Sequence, residues 1–129
     1  CTLRKWLNDP FIKDIFSAEE MKAVMLSDVS ADTNPSYNTN QGNDTKDKLF
    51  LLSIKEVEQY FVSNEKRLCK PTKYAVHNGA YEHGWWWLRS AGAYSYGAAL
   101  VHGDGSVDCD GNSVTYHSGS VRPAFWLNL

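Results

Sequence analysis

The charged residues and the glycines of this 129-residue chain lie in opposite parts of the sequence. Residues 1–80 contain 11 of the 13 basic and 11 of the 15 acidic side chains, whereas residues 81–129 contain seven of the nine glycines. Helical apolar spacing in the first part predicts helices, and short apolar segments between glycine-rich turns in the second part predict strands. The division therefore predicts a single α+β domain, with helices over residues 2–25 and 54–78 packed on a small twisted antiparallel sheet over residues 85–127.

Local motifs indicate where individual elements begin and end. Two capping boxes, Ser17–Glu20 and Ser53–Glu56, predict helix starts, and Pro10 is expected to break or restart the first helix. Leu49–Leu52 is a continuous apolar run that predicts a buried strand. Residues 31–47 are rich in Asn, Asp and Thr, which predicts a long loop.

The C-terminal part contains two turn motifs. Gly103–Gly105 predicts a hairpin turn, because apolar segments flank it on both sides. Asp110-Gly111 predicts a second turn that leads into a strand over residues 114–116. Residues 121–127 predict the last strand, with its proline at an edge or a bulge.

Charge and cysteine content exclude several classes of protein. The formal charge is −2 and no basic stripe occurs, which disfavours nucleic-acid binding. No apolar run approaches the ~18 residues of a membrane-spanning helix. Cys1, Cys69 and Cys109 form no CxxC pair, so a zinc ribbon or thioredoxin-like site is excluded, although a single disulfide bridge stays open. Arg89 and Arg122 are the only basic residues after residue 80, and we expect at least one to be partly buried and paired.

Conventional catalytic and metal-binding motifs do not occur in this sequence. The four histidines form no HxH or HExxH pair, and there is no GxSxG, P-loop or GxGxxG motif. Asp104, Asp108 and Asp110 cluster near turns, where backbone capping is commoner than acid–base catalysis. Cys109 is a candidate nucleophile without an assignable base. Residues 43–47 offer oxygen ligands for calcium without EF-hand spacing, so a hydrogen-bonded loop is favoured.

Residues 90–120 lack five residue types. The chain has 24 Lys, Glu, Gln, Met and Trp residues, and none of them lies in this window. Even scattering would place about six there, given ordinary usage of these types. Turn composition explains part of the bias, but Tyr and His are interleaved with Ser, Gly and Asn. That mixture is typical of binding surfaces, because Tyr supplies large contact area at low entropic cost.

Five ordered blocks make the chain resemble a known branch of proteins. The blocks are LRKWLN, GNDTKDK, FLLS, WWLRS and VRPAFWL, at residues 3–8, 42–48, 50–53, 86–90 and 121–127. They resemble bacterial domains of the formylglycine-generating-enzyme-like branch of the C-type lectin fold. Those domains usually have further strands before the first block, so the resemblance implies a truncated or minimal C-type-lectin-like domain over residues 1–129.

Some proteins of this branch are the variable proteins of diversity-generating retroelements. Their randomised Asn-type codons cannot encode Lys, Glu, Gln, Met or Trp, and residues 90–120 match that restriction. The resemblance thus implies a non-catalytic receptor-type module at the cell surface or outside the cell. Such a module binds a protein or glycan and needs no cofactor or metal. The ligand-binding positions that it implies are Tyr94, Ser95, Tyr96, Leu100, His102, Asp104, Asp108, Cys109, Asp110, Asn112, Ser113, Thr115, Tyr116 and His117.

A diversified surface constrains burial, because a randomised position in a packed core costs several kcal/mol. Most of these side chains are therefore expected to be exposed on one contiguous face. Tyr94, Tyr96 and Tyr116 are expected to share a patch with His102 or His117. The sheet's inward positions are expected to be buried, namely Ala98, Val101, Val107, Val114 and Val121.

Three alternative functions stay open: a fixed-specificity lectin, an enzyme, and a purely structural domain of a larger surface protein. A fixed-specificity lectin could stack sugars on Trp85–Trp87, although alternation favours core packing for most of that run. The Glu-Pro-Asn and Gln-Pro-Asp triplets of calcium-dependent lectins do not occur. A formylglycine-generating enzyme needs a cysteine pair near its C-terminal end, where this chain has only Cys109. The binding module is therefore favoured over the lectin and the enzyme.

Overall fold

A computed structural model of all 129 residues shows a mixed α+β protein with two antiparallel sheets. The chain divides into two compact units. The first contains Cys1–Ala31, Asn43–Phe50 and Pro123–Leu129, and the second contains Asp32–Gly42 and Leu51–Arg122. No helix combines the length and the apolar character that crossing a membrane requires.

The first unit begins with a helix that changes its pitch at a proline. Helix α1 covers Thr2–Trp6, a π-helical segment covers Leu7–Phe11, and α2 covers Ile12–Ile15. The expectation that Pro10 breaks or restarts the helix is wrong. The backbone N–H of Ile12 bonds to the carbonyl five residues earlier, and this wider turn accommodates a residue without an N–H.

The first capping box is confirmed. The N–H of Glu20 donates to Ser17 Oγ at 3.2 Å, and the N–H of Ser17 donates to the Glu20 carboxylate at 2.8 Å. The short helix α3, Glu20–Ala23, then ends before Met25, because Val24 forms an antiparallel bridge with Leu127. Val24 is buried there, while Met25 is exposed.

A two-stranded sheet completes the first unit. Strand β1, Ser27–Val29, pairs antiparallel with β2, Thr45–Asp47. Asp47 is buried and accepts hydrogen bonds from Arg4 Nε at 2.7 and 2.9 Å, so this carboxylate serves an ion pair. No group of three or more His, Cys, Asp or Glu side chains in the protein is arranged to hold a metal ion.

Leu49–Leu52 is buried as predicted, but the predicted strand is wrong, since only an isolated bridge from Phe50 pairs it.

Three helices precede the second sheet. Helix α4 covers Ile54–Tyr60, α5 covers Asn64–Arg67 and α6 covers Lys73–His77. The capping box of α4 is confirmed: the Glu56 N–H donates to Ser53 Oγ at 3.2 Å, and the Ser53 N–H donates to the Glu56 carboxylate at 2.9 Å. The capping box predicts a helix through Tyr60 or Phe61, and the helix ends at Tyr60.

The second sheet has three strands in the order β3–β4–β5. Strand β3 covers Trp86–Ala91, β4 covers Gly97–Val101 and β5 covers Val107–Ser113. The predicted hairpin at Gly103–Gly105 is confirmed by the antiparallel pairing of β4 with β5. Trp86, Leu88, Ala99 and the end of β4 are almost fully buried and form the core of this unit.

Two further strand predictions are wrong, and the first of them is wrong because β5 runs on through the Asp110-Gly111 pair. Two extra residues of β5 bulge between its pairings with β4, and Gly111 adopts a φ of 69° there. Residues 114–116 consequently lie in turns after the strand. Residues 121–127 make only isolated bridges, so the predicted final strand does not form.

These shifts also change the predicted inward positions. Val101 is buried as expected, while Ala98 and Val107 are half-buried. Val114 and Val121 are exposed at 62% and 37%, because both lie beyond the end of β5. The expected burial is therefore wrong for these two valines.

The expected pairing of an arginine is confirmed at Arg89. Its side chain is 16% exposed and forms ion pairs with Glu56 and with Asp32, the latter at 3.4 Å. Its guanidinium also donates to the carbonyl of Leu51 at 2.9 Å. Ser53 Oγ donates to the same Asp32 carboxylate at 2.7 Å, so the network ties the start of α4 to β3.

Candidate functional site

The fourteen predicted binding positions lie in the β3–β4 connection, in the β4–β5 hairpin and just after β5. Nine of their side chains are exposed: Tyr94, Ser95, Tyr96, His102, Asp104, Asp110, Thr115, Tyr116 and His117. Four are half-buried: Asp108, Cys109, Asn112 and Ser113. The prediction of a mostly exposed set thus agrees with the structure, while the role of these residues in binding stays a prediction.

Leu100 is the exception, because its side chain is only 3% exposed. It lies in β4, the central strand of the sheet, opposite Trp87 on one side and Asp108 on the other. Ala99 and Val101 beside it are fully buried, so both faces of β4 are covered at this point. The expectation that Leu100 is an exposed variable position is wrong.

Two tyrosines project side by side from the connection between β3 and β4. The rings of Tyr94 and Tyr96 stack with centroids 5.5 Å apart and an interplanar angle of 2°, and they are 63% and 61% exposed. The turn that carries them is closed by a bond from the Gly97 N–H to the Tyr94 carbonyl at 3.0 Å. Tyr116 is 54% exposed, and its place in a shared patch with these rings stays a prediction.

The loop over residues 32–42 contacts the connection that carries these tyrosines, where Thr39 Oγ1 donates to the Ala93 carbonyl at 3.0 Å, and the sequence did not predict this contact. Asn34 is 6% exposed, and its amide donates to the carbonyls of Ala91 at 2.8 Å and Cys109 at 2.7 Å. Its Oδ1 accepts a bond from the N–H of Ser36 at 2.9 Å. Asn34 therefore holds the loop against the end of β3 and the middle of β5.

Tyr37 in the same loop makes the contact that completes the candidate surface. Its hydroxyl donates to Asp110 Oδ1 at 2.5 Å. That hydrogen bond raises the pKa of the Tyr37 phenol, and the charges of Asp110, Tyr94 and Asp108 raise it further. We call Tyr37, Tyr94, Tyr96 and Asp110 the Tyr–Asp surface. Tyr37 lies in a polar loop far from the biased window, so the sequence offered no pattern by which to find it.

Two of the candidate aspartates hold their own backbone in place. Asp104 Oδ1 accepts bonds from the Oγ and the N–H of Ser106 at 2.6 and 2.9 Å, and these bonds lower the pKa of Asp104. Asp108 Oδ1 accepts from two N–H groups of the β5 bulge at 2.9 and 3.0 Å. Its Oδ2 lies 3.0 Å from His102 Nε2. Both carboxylates therefore cap groups of their own turn or bulge.

Cys109 lies in β5 and is half-buried. Burial raises the pKa of its thiol, a hydrogen bond with Ser36 lowers it, and the charges of Glu58, Asp108 and Asp110 raise it further. Nucleophilic cysteines of enzymes have lowered pKa values, because the thiolate is the reactive form. The environment of Cys109 instead raises the pKa of its thiol, which disfavours the thiolate. All three cysteines are free.

The structure thus defines a small α+β protein whose three-stranded sheet carries an exposed surface of tyrosines and aspartates. The chain belongs to the family described as Domain of unknown function (DUF6273), whose model matches residues 1–129. No curated protein and no solved structure matches it. The function therefore has to be argued from the residues of the surface.

Proposed function

We propose that this protein is a non-catalytic ligand-binding module, the variable protein of a diversity-generating retroelement with a C-type-lectin-like fold. It is displayed at the cell surface or outside the cell, and it binds a protein or glycan through residues 90–120 without a cofactor. One observation carries the proposal: the window that lacks Lys, Glu, Gln, Met and Trp is also the part that supplies nine exposed candidate side chains.

Exposure matters to the proposal because it decides which positions tolerate variation. Substitutions at exposed sites away from caps and special backbone conformations usually change stability by less than about 0.5 kcal/mol. Replacing a buried aliphatic residue with a small one costs about 2–5 kcal/mol. Tyr94, Tyr96 and Tyr116 are each more than half exposed, whereas Leu100 and Val101 are buried. A diversified surface is thus compatible with the fold at the first three positions and incompatible at the last two.

The type of side chain supports binding rather than catalysis. Exposed tyrosines provide large, rigid contact areas, and the Ser and Asn residues among them provide adaptable hydrogen bonds. The carboxylates of Asp104 and Asp108 are occupied in capping, and the thiol of Cys109 has a raised pKa. These observations favour a surface that recognises a partner over one that transforms a substrate.

Two experiments test the proposal. The first is sequencing of the DNA around the gene, where we expect a near-identical copy of the segment encoding residues 90–120 and a reverse-transcriptase gene. The second is a display library in which the exposed positions are randomised, sorted first for folding and then for binding to a panel of immobilised proteins and glycans. We expect folding to survive and binders to emerge.

A matched library provides the control. It randomises Leu100 and Val101 in place of the exposed positions, and we expect most of its members to lose the fold. Equal loss of folding in the two libraries would contradict the proposal. So would gene surroundings without a repeat and a reverse transcriptase, combined with a failure of the surface library to yield any binder.

A further inference from the structure

The Tyr–Asp surface combines aromatic faces with negative charge. The stacked rings of Tyr94 and Tyr96 are more than 60% exposed. The backbone carbonyl of Asp110 accepts a bond at 2.8 Å from the N–H of Ala93, the residue before Tyr94, and the Asp110 carboxylate accepts a bond from Tyr37. Residues 90–120 contain three aspartates and no Lys and no Arg. The surface therefore presents π-faces and carboxylates to a partner, and its window supplies no cation of fixed charge.

Resting on the function proposed above, we propose that the Tyr–Asp surface binds an arginine-rich segment of a protein partner. The argument is charge complementarity together with shape. A guanidinium group is planar, stacks on aromatic faces and pairs with carboxylates, whereas an ammonium group is a compact point charge that does not stack. Two parallel, stacked tyrosine rings on the same surface as a carboxylate match the first group better than the second.

Asp110 keeps the capacity to accept further hydrogen bonds. A carboxylate offers about four lone-pair positions on its two oxygens, and the Tyr37 hydroxyl occupies one of them, on Oδ1. The side chain of Asp110 is exposed, in contrast to the half-buried Asp108, which already caps the bulge and contacts His102. Asp110 is therefore the carboxylate that we expect to pair with a guanidinium.

The electrostatics of the neighbouring groups agree with this choice of partner. The pKa of Tyr37 is raised by its bond to Asp110 and by the charges of Asp110, Tyr94 and Asp108. The charges that act on Cys109 are also acidic, from Glu58, Asp108 and Asp110. A bound cation would oppose these charges. We therefore expect partner binding to lower the pKa of Tyr37, which an uncharged glycan would not do.

The test is fluorescence anisotropy with a labelled peptide of alternating arginine and glycine, compared with the same peptide carrying uncharged citrulline in place of arginine. We expect the arginine peptide to bind, the citrulline peptide to bind at least several-fold more weakly, and added salt to weaken the arginine complex. Asp110→Asn and Tyr94→Ala should each weaken binding about three- to tenfold. Asn keeps an acceptor for Tyr37, so the first change removes charge with little effect on the fold.

Matched controls separate this surface from the general charge of the protein. Asp14→Asn removes an exposed aspartate of α2, and Tyr74→Ala removes a tyrosine of α6 that is 79% exposed. Both control variants should bind the arginine peptide like the parent protein. Equal weakening by Asp110→Asn and Asp14→Asn would overturn the inference, because it would indicate unspecific attraction.

The inference and the proposed function fail in different ways. If the arginine peptide does not bind, but the protein binds a glycan on an array and loses that binding with Tyr94→Ala, the inference is overturned and the proposed function stands. If no ligand responds to Tyr94→Ala or to Asp110→Asn, both are overturned. The chain has seven tyrosines, so the titration of Tyr37 is taken as the difference in ultraviolet absorbance between the parent protein and Tyr37→Phe, with and without peptide. An unchanged Tyr37 pKa at saturating peptide would overturn the inference.

Discussion

Replacing Arg89 with Met is expected to destabilise the second unit by about 2–4 kcal/mol. Arg89 forms ion pairs with two carboxylates, and the side chains of Arg89, Glu56 and Asp32 are only 16%, 21% and 17% exposed. Removing one partner of a buried ion pair costs about 3–5 kcal/mol, because a charge is left without compensation. Because water reaches these carboxylates in part, it screens the charge that Arg89→Met leaves unpaired. The expected loss of stability therefore lies towards the lower end of that range.

The assay is urea unfolding followed by tryptophan fluorescence, with the slope of the transition compared between variants. Arg89→Lys keeps the charge but loses the planar donor set, and it should fall between Met and the parent protein. Arg89→Lys also gives a measurable change in stability if Arg89→Met does not fold. The control is Lys13→Met, which breaks the exposed Lys13–Asp9 pair and should cost less than about 0.5 kcal/mol. A cost for Arg89→Met as small as that of the control would refute the reasoning.

Three further predictions use pairs of matched sites or a single titrating group. Asn34→Ala should cost about 2–3 kcal/mol in urea unfolding, because two carbonyls lose their donor, whereas exposed Asn38→Ala should cost almost nothing. Gly105→Ala should lower the melting temperature more than Gly79→Ala: both have positive φ, but only at Gly105 would a Cβ meet a backbone carbonyl. Cys109 should react with iodoacetamide more slowly than a free cysteine in peptide-resolved mass spectrometry, with the difference shrinking as the pH rises through its raised pKa. Equal effects within either pair, or fast alkylation, would contradict these predictions.

The elements that the sequence predicted correctly depend on contacts between near neighbours. Both capping boxes join residues three positions apart, and the hairpin at Gly103–Gly105 needs only its own turn. Asp110-Gly111 has equally good turn chemistry, yet it forms a bulge, because the strand continues to pair with β4 on both sides of it. A dipeptide can specify a local conformation with positive φ, but the partner strand decides whether the chain reverses there.

The same difference between local and long-range contacts explains why only part of the candidate site was predicted. Composition identified the window that contains the nine exposed candidate side chains, because the compositional bias lies within the window itself. The hydrogen bond between Tyr37 and Asp110 joins residues 73 positions apart. No local sequence pattern in either segment predicts this contact. The exposure of Leu100 was predicted wrongly. Its burial depends on β4 being the central strand, and the order of the strands cannot be read from the local sequence.

The two kinds of candidate position should differ in how freely they vary. Asp104 and Asp108 face solvent at least partly, but each accepts two backbone or side-chain bonds that hold a turn or a bulge. Only short side chains with an acceptor, such as Asp, Asn, Ser and Thr, can replace those bonds. The side chains of Tyr94 and Tyr96 make no such bond with their own turn. Their rings contact each other instead. In the display library, extended to include the half-buried Asp108 and sorted for folding alone, we therefore expect enrichment of short acceptor residues at Asp104 and Asp108 and a near-uniform distribution at the two tyrosines. A uniform distribution at all four positions would show that capping does not restrict this surface, and selection for the tyrosines under folding pressure would assign them to the scaffold rather than to the ligand.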